Sequence, residues 1–341
     1  MSPSGRVPSV SVVIPTYNRL ALLVDAIDSV IAQTMTDWEL IVVDDGSTDG
    51  TTDFLAQATP NDPRIRSCDN KRAKGPGGAR NTGVAMARGE IVAFLDSDDR
   101  WLPEKLEVTF ERFRHAPEAG ILATDYWRVD GTTRQLGTAN MLDHLERWCG
   151  VPVFAKARAE LDACSAVDIE RLSVFIFALI AGCAWPQTSS ILARRSEVLA
   201  AGGFVEGLQR CEELELWLRL AERTGLVALD EPLAEHRREG QDTMQGPRYA
   251  TDTDGRYGDL ADEHRHHIHF LHRLARGRAL STELRGCWHH RLRNLHCQIG
   301  RILVRRAPLR ATYHLALGIW HRPKDLVGLF IDPIRYFNVP N

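Results

Sequence analysis

Residues Ile91–Asp99 read IVAFLDSDD, five apolar residues followed by three carboxylates in four positions. The apolar run describes a strand buried on both faces, and the sudden change to charge marks its carboxyl end. In open α/β sheets ligands bind outside the carboxyl ends of the strands, so chemistry is to be sought at Asp96, Asp98 and Asp99. Carboxylates this crowded repel one another. A hard cation such as Mn²⁺ or Mg²⁺ would relieve that repulsion and still leave positions open for phosphate oxygens. For the short cluster taken alone, a solvated turn opening a helix near Pro103 is the alternative.

Upstream, Val10 to Ile14 is a β-branched run ending at Pro15, after which Leu20, Leu23, Ile27, Val30 and Ile31 recur at helical spacing. A second unbroken apolar run follows at Leu40 to Val43, and it too ends in acids, VVDDGSTDGT over Val42 to Thr51. Here Asp44 and Asp45 are poised to accept hydrogen bonds from a ligand, Gly46-Ser47 supplies a tight turn, and Asp49 is placed to cap the next helix. Continuous strands alternating with helices predict a parallel, Rossmann-like α/β sheet covered on both faces. A loop over Lys71 to Gly78 and a helix over Ala79 to Ala87 lead into the strand at Ile91. The glycines of GPGGAR invite a phosphate-loop reading, but Asn81-Thr82 stands where Lys-Ser/Thr is required and GxGxxG is missing after the first strand. Those absences argue against nucleotide-hydrolysing P-loop enzymes and nicotinamide dehydrogenases.

Downstream, Leu142, Leu145, Trp148 and the stretch Leu172 to Ile180 suggest helices without a motif. Ser190 to Ala193 predicts a short strand and Ser196 to Ala201 a helix ended by Gly202-Gly203. A buried helix is expected from Glu212 to about Arg223, a strand over Leu226 to Leu229, and a Gly/Asp/Thr-rich linker over residues 241–258. The remainder, residues 259–341, predicts helices at Leu260 to Arg276, Ser281 to Arg306 and Ala311 to Trp320, giving a catalytic domain over 1–240 with a helical extension.

Charge divides along the same line. Residues 256–341 carry 15 Lys/Arg against 6 Asp/Glu, whereas residues 1–255 carry 27 against 39. A basic helical tail is either a solvated face or a contact for an anionic membrane surface or carrier; basic residues alone do not specify nucleic acid, which is not expected as a partner. The tail's HRHHIHFLH, His264 to His272, is read as part of that face rather than as a metal site. Seven cysteines without a CxxC pair suggest reduced thiols, and the N-terminus lacks the basic-then-apolar signal pattern. The longest nearly apolar run, Val174 to Trp185, is too short to span a bilayer. A cytoplasmic protein is expected, with the inner face of the membrane as the place where the tail would make a peripheral contact.

Four segments, taken in order, resemble the inverting family 2 glycosyltransferases of the GT-A fold: SVVIPTYNR (Ser11 to Arg19), DWELIVVDDGSTDGT (Asp37 to Thr51), GGARNTGVAMARGEIVAFLDSDD (Gly77 to Asp99) and SSILARRSEVLAAGGF (Ser189 to Phe204). The resemblance implies an enzyme that moves a sugar from a nucleotide-diphosphate donor to a hydroxyl of a glycan or lipid-linked acceptor, with Mn²⁺ or Mg²⁺, as in surface polysaccharide or lipopolysaccharide synthesis. On the positions that match, it places Pro15, Thr16, Tyr17, Asn18 and Asp45 at the nucleoside and Arg80 beside the donor pocket. Asp96, which completes the DxD spacing, is implied near the donor sugar, Asp98 near ribose or sugar and as a possible second metal ligand, and Asp99 on the metal. The Ser189 to Ile191 region is implied to border the acceptor pocket.

Two positions depart from the family pattern. The base is usually the Asp of a Glu-Asp pair opening a helix, and here Glu213 stands in its place, with Glu212 as the main rival and Glu215 a third. The His that usually completes the metal site is replaced by Glu239, and His236 falls at the usual Tyr position, so Glu239, His236 or water is left to complete it. Arg237 and Arg238 are candidates for the diphosphate. These departures motivate a rival reading, a catalytically impaired protein of the same fold that binds nucleotide or glycan. A nucleotidyltransferase is disfavoured because its N-terminal Gly-rich signature is absent.

Overall fold

A computed structural model describes residues 7–58, 62–131, 133–137, 187–206 and 212–237, together with Ile268, His272, His289, Leu292 and His296. The chain divides into two compact units, Met1–Leu179 with Cys183–Arg248, and Ile180–Gly182 with Tyr249–Asn341. The expected helices at Leu142 to Trp148 and Leu172 to Ile180, the linker over 241–258, and nearly all of the tail lie outside the described residues. So do Arg238, Glu239 and every cysteine except Cys68.

The elements of the first unit are β1 (Val10–Thr16), α1 (Leu20–Ile31), β2 (Trp38–Asp44), α2 (Thr51–Ala58), β3 (Ile65–Asp69), α3 (Pro76–Met86), β4 (Ile91–Phe94), β5 (Arg100–Trp101), α4 (Lys105–Arg114), β6 (Ala119–Asp130), β7 (Thr133–Leu136), a 3₁₀ turn (Thr188–Ser190), β8 (Ile191–Arg194), α5 (Arg195–Ala200), α6 (Glu212–Arg223) and β9 (Gly225–Arg237). Nine strands form one sheet in the order β3-β2-β1-β4-β8-β6-β9-β5, with β7 paired to β6. The first half, β3 to β4, is parallel, as the unbroken apolar runs predict. Beyond it β8 runs antiparallel to both β4 and β6, and β6 pairs in parallel with β9. The mixed sheet, parallel on the β3 side with helices as connections, is the Rossmann-like GT-A architecture.

Every residue of β1 and β2 is buried, which explains why their sequences do not alternate. On α1 the residues Leu23, Ala26, Ile27 and Val30 turn inward at helical spacing. Gly77 and Gly78, expected in a loop, lie instead inside α3 behind Pro76, which starts the helix. They are needed for close approach: a Cβ on Gly78 would come within 1.9 Å of the Ala73 carbonyl oxygen, and one on Gly77 within 2.8 Å of that of Val205. Four strands went unpredicted, β3, β5, β6 and β7, and β9 runs on to Arg237, eight residues beyond the expected end at Leu229.

One packing cluster fixes the site. The rings of Phe94, Phe204 and Trp217 meet at centroid distances of 5.2, 5.6 and 5.5 Å. Contacts of this kind contribute about 0.5–1.5 kcal/mol each beyond burial. Phe94 lies two residues before Asp96 and Trp217 four residues after Glu213, so the cluster locks the first turns of α6 against the end of β4.

Candidate active site

The carboxyl ends of β2, β1 and β4 lie side by side and carry two acidic turns. In the turn after β2 the acids bond inward. Asp44 is buried, its Oδ1 accepting the Ser47 N–H at 2.9 Å and its Oδ2 the Thr52 hydroxyl at 2.8 Å. Asp49 accepts the Leu20 N–H at the start of α1 at 3.0 Å, and the hydroxyl and N–H of Thr51 at 2.6 and 3.2 Å. Asp49 is exposed; these bonds outweigh its desolvation and hold its carboxyl below the usual range. Asp45 is half-buried and ties down the chain ahead of α3, accepting from Asn70 Nδ2 at 2.6 Å and from the Gly75 N–H at 2.8 Å.

The residues expected around a nucleoside continue β1. Pro15 and Thr16 are buried at its end, and among the described residues the Thr16 hydroxyl has no hydrogen-bond partner. Asn18 is exposed with φ 51°, a left-handed conformation that Asn tolerates, and its Oδ1 accepts the Thr48 N–H at 2.7 Å. The Tyr17 ring lies under Lys74 Nζ at 4.4 Å.

After β4 the acids crowd. Asp99 is fully buried; its Oδ2 accepts the Ser189 hydroxyl at 2.5 Å, and its Oδ1 faces His236 Nδ1 at 3.1 Å and the Arg237 N–H at 3.2 Å. The same Ser189 hydroxyl accepts the Asp96 N–H at 3.0 Å. Asp98 pairs with Arg19. Burial, and then the charge of Asp99, push Asp98 up to about 6, although Arg19 opposes the shift. For His236 burial works against the imidazolium, but Asp99, Asp98 and Asp96 outweigh it, so its proton is held more tightly than usual.

Arg80 joins this cluster to the start of α6. Its side chain is 5% exposed, Nη2 donating to Asp96 Oδ1 at 2.7 Å and Nη1 to Glu212 Oε1 at 2.5 Å. Burial disfavours the guanidinium charge, yet Asp96, Glu212 and Glu213 together raise its pKa. Glu212 is buried and Glu213 half-buried; burial, and then the charge of Glu212, push Glu213 up to about 8.

Asp96, Asp98, Asp99, Arg80, Glu212, Glu213 and His236 are thus brought to one edge of the sheet, while Glu239 lies outside the described residues. Arg237 is turned elsewhere: its guanidinium donates to the Asp98 carbonyl at 2.8 Å and to Asp25 on α1 at 2.6 Å, clamping α1 to the turn after β4. Nothing in the sequence pattern signals that Ser189 links Asp96 to Asp99, or that Arg19 pairs with Asp98. Those partners are 93, 90 and 79 residues apart, beyond any local pattern.

The donor set fits a hard divalent cation. The buried Asp99 carboxylate offers oxygen, His236 offers nitrogen beside it, and the crowded charge around them favours a cation. Among the described residues no group of three or more His, Cys, Asp or Glu converges to enclose one, so donor phosphates, water or Glu239 would have to complete the coordination. Also among the described residues, no helix is long and apolar enough to cross a membrane.

Residues 11–161 match the family described as Glycosyl transferase family 2. Over 99 residues the chain is 44% identical to the Escherichia coli UDP-Glc:alpha-D-GlcNAc-diphosphoundecaprenol beta-1,3-glucosyltransferase WfgD, covering 29% of this chain and 38% of that protein. The chain spans well under half the length of the curated relatives it matches, 35% and 41% in two further cases. S. aureus TarS 1–349 in complex with UDP-GlcNAc shares the fold with TM-score 0.57 at 19% identity, over 92% of this chain and 89% of that one. The mannosyltransferase PcManGT from Pyrobaculum calidifontis, in complex with GDP-Man and Mn²⁺, aligns with TM-score 0.52 at 16% identity, over 98% and 84%.

Proposed function

Because residues 11–161 belong to glycosyl transferase family 2, we propose that the chain is an inverting glycosyltransferase that moves a sugar from a nucleotide-diphosphate donor to a hydroxyl of a glycan or lipid-linked acceptor. The observation that carries the reading is the junction of the two halves of the site: Arg80 ties Asp96, at the strand end where a donor would lie, to Glu212, at the head of the helix that bears the candidate base. That WfgD is named for a UDP-sugar donor and a lipid diphosphate-linked sugar supports the same donor and acceptor classes here, and with them a role in surface polysaccharide synthesis.

In this mechanism Pro15 to Asn18 and Asp45 hold the nucleoside, and Asp96 and Asp98 orient the ribose and donor sugar. Asp99 and His236, with Glu239 or water, would hold Mn²⁺ or Mg²⁺. A cation bound there would neutralise the diphosphate as it leaves. Glu213, ionised, takes the proton of the acceptor hydroxyl while the acceptor oxygen bonds to the anomeric carbon and the bond from that carbon to the diphosphate oxygen breaks. The anomeric configuration inverts. A glutamate in place of the usual aspartate keeps the carboxylate and adds one methylene of reach, and a base works best when its pKa lies near the working pH. The catalytic domain occupies residues 1–240, followed by a linker and a basic helical extension that meets the cytoplasmic face of the membrane.

A thermal-shift panel of UDP-glucose, UDP-GlcNAc, GDP-mannose and other nucleotide sugars, run with and without Mn²⁺, tests the donor half. Metal-dependent stabilisation by one donor together with release of its nucleoside diphosphate is the expected outcome. Stabilisation without any release would favour the binding-protein reading that the substituted base motivates.

A further inference from the structure

The guanidinium of Arg80 is buried among three carboxylates. It donates to Asp96 Oδ1 from one nitrogen and to Glu212 Oε1 from another, and it stacks over the Phe204 ring at 5.4 Å. Glu213 follows Glu212 on the first turn of α6. Among the described residues, the charged groups that act on it most are Glu212, on its own helix, and Arg80, from α3. Asp96, from the end of β4, faces it through Arg80.

Arg80 gives one nitrogen to Asp96 and another to Glu212, and each of these carboxylates is fixed in place by that ion pair. Among the described residues Glu213 has no such bond to Arg80, so it is the carboxylate of the pair left to meet an acceptor. Burial, and then Glu212, push Glu213 up to about 8, with Arg80 opposing.

We propose that Arg80 is a positioning residue that assigns the two glutamates their roles: by fixing Glu212 as an anchor beside Glu213, it leaves Glu213 as the carboxylate that exchanges a proton. The same guanidinium holds Asp96, so donor and acceptor sides share one anchor. A planar fork with separate nitrogens for two carboxylates suits this task, and a lysine ammonium reproduces the charge but not the geometry. The inference rests on the reading of Glu213 as the base of a glycosyltransferase.

The test reads the proton on Glu213 directly. In the full chain labelled with carboxyl-¹³C glutamate and free of nucleotide, the Glu213 resonance is assigned by its loss in E213Q and titrated by NMR. Wild type should titrate well above an ordinary glutamate. E212Q, which removes the neighbouring negative charge, should lower the midpoint by about one to three pH units, and R80M, which removes the positive charge, should raise it by a similar amount. R80K should stay nearer to wild type than R80M does. If R80M does not fold, E212Q and R80K still carry the comparison. An unmoved midpoint in E212Q, or R80M and E212Q moving the same way, would overturn the inference. Turnover in E213Q serves separately: normal release of nucleoside diphosphate by that variant would sink the base assignment, whatever the titration showed.

Discussion

Two acidic turns stand on neighbouring parts of one sheet, and they use their carboxylates in opposite ways. In the turn after β2, Asp44 and Asp49 are spent on backbone N–H groups of the turn itself and of α1 and on hydroxyls at the start of α2, and Asp49 is held below its usual range. In the turn after β4 the acids pair with Arg19, Arg80 and His236 but also crowd one another, and the pKa values of Asp98 and of His236 are raised. The first turn builds the scaffold; the second stores unbalanced charge where a substrate would meet it. An acid-rich strand end is therefore not a site by composition alone, and what its oxygens accept decides the matter.

Substitutions should separate the two turns. The largest effect is expected on the charged side, in the base that Arg80 and Glu212 support: E213Q should lower turnover by about 10²–10⁴-fold with donor binding largely retained, measured by steady-state release of nucleoside diphosphate and by calorimetry. D99A should next weaken nucleotide binding in Mn²⁺ while binding in chelator stays close to wild type; calorimetry giving equal affinities for D99A and wild type in Mn²⁺ would remove Asp99 from the metal.

The scaffold side should respond in stability. D49A removes acceptors for the first turn of α1 and for Thr51, and should cost about 0.5–2 kcal/mol in denaturant unfolding without moving the pH profile of activity. A pH-profile change in D49A equal to that of a β4-turn variant would erase the distinction drawn here.

The last prediction concerns Lys105, which heads α4 behind the charged turn. It is fully buried, with Nζ 3.2 Å from the Thr124 hydroxyl, and burial pushes it down to about 7 from an ordinary 10.5. The unfolded chain binds this proton below pH 10.5 and the folded chain only below about 7, so stability should fall as pH drops through that window. The slope from this one group is about 1.4 kcal/mol per pH unit, and K105M should abolish that part of it.

Much of the fold was legible because β1, β2 and β4 are buried on both faces and read as unbroken apolar runs. The missed strands lack one or other of these features: the first eight residues of β6 are buried, but Gly120, Thr124 and Asp125 interrupt its apolar run. β3 buries only its first residue, Ile65. The register of β9 against β6 slips between Thr124 and Asp125, where Asp125 meets Pro232, so the apolar run stops at Leu229 although the strand continues to Arg237. Of the candidate site, the residue types were legible and their partners were not. Asp45 and Asp49 look alike in VVDDGSTDGT, and only the fold shows one tying down the chain ahead of α3 and the other capping a helix that begins 29 residues earlier. Arg80 meets Glu212 across 132 residues, and Arg237, a candidate for the diphosphate, is drawn to α1 by Asp25.

The most direct test of the central claim compares wild type with E213Q for release of nucleoside diphosphate, in Mn²⁺, from whichever nucleotide sugar stabilises the chain most in the thermal panel. The account predicts release by wild type that disappears in chelator and falls by about 10²–10⁴-fold in E213Q, with the stabilisation itself preserved. Equal release by the two proteins, or no release by wild type from any sugar that binds, would contradict it.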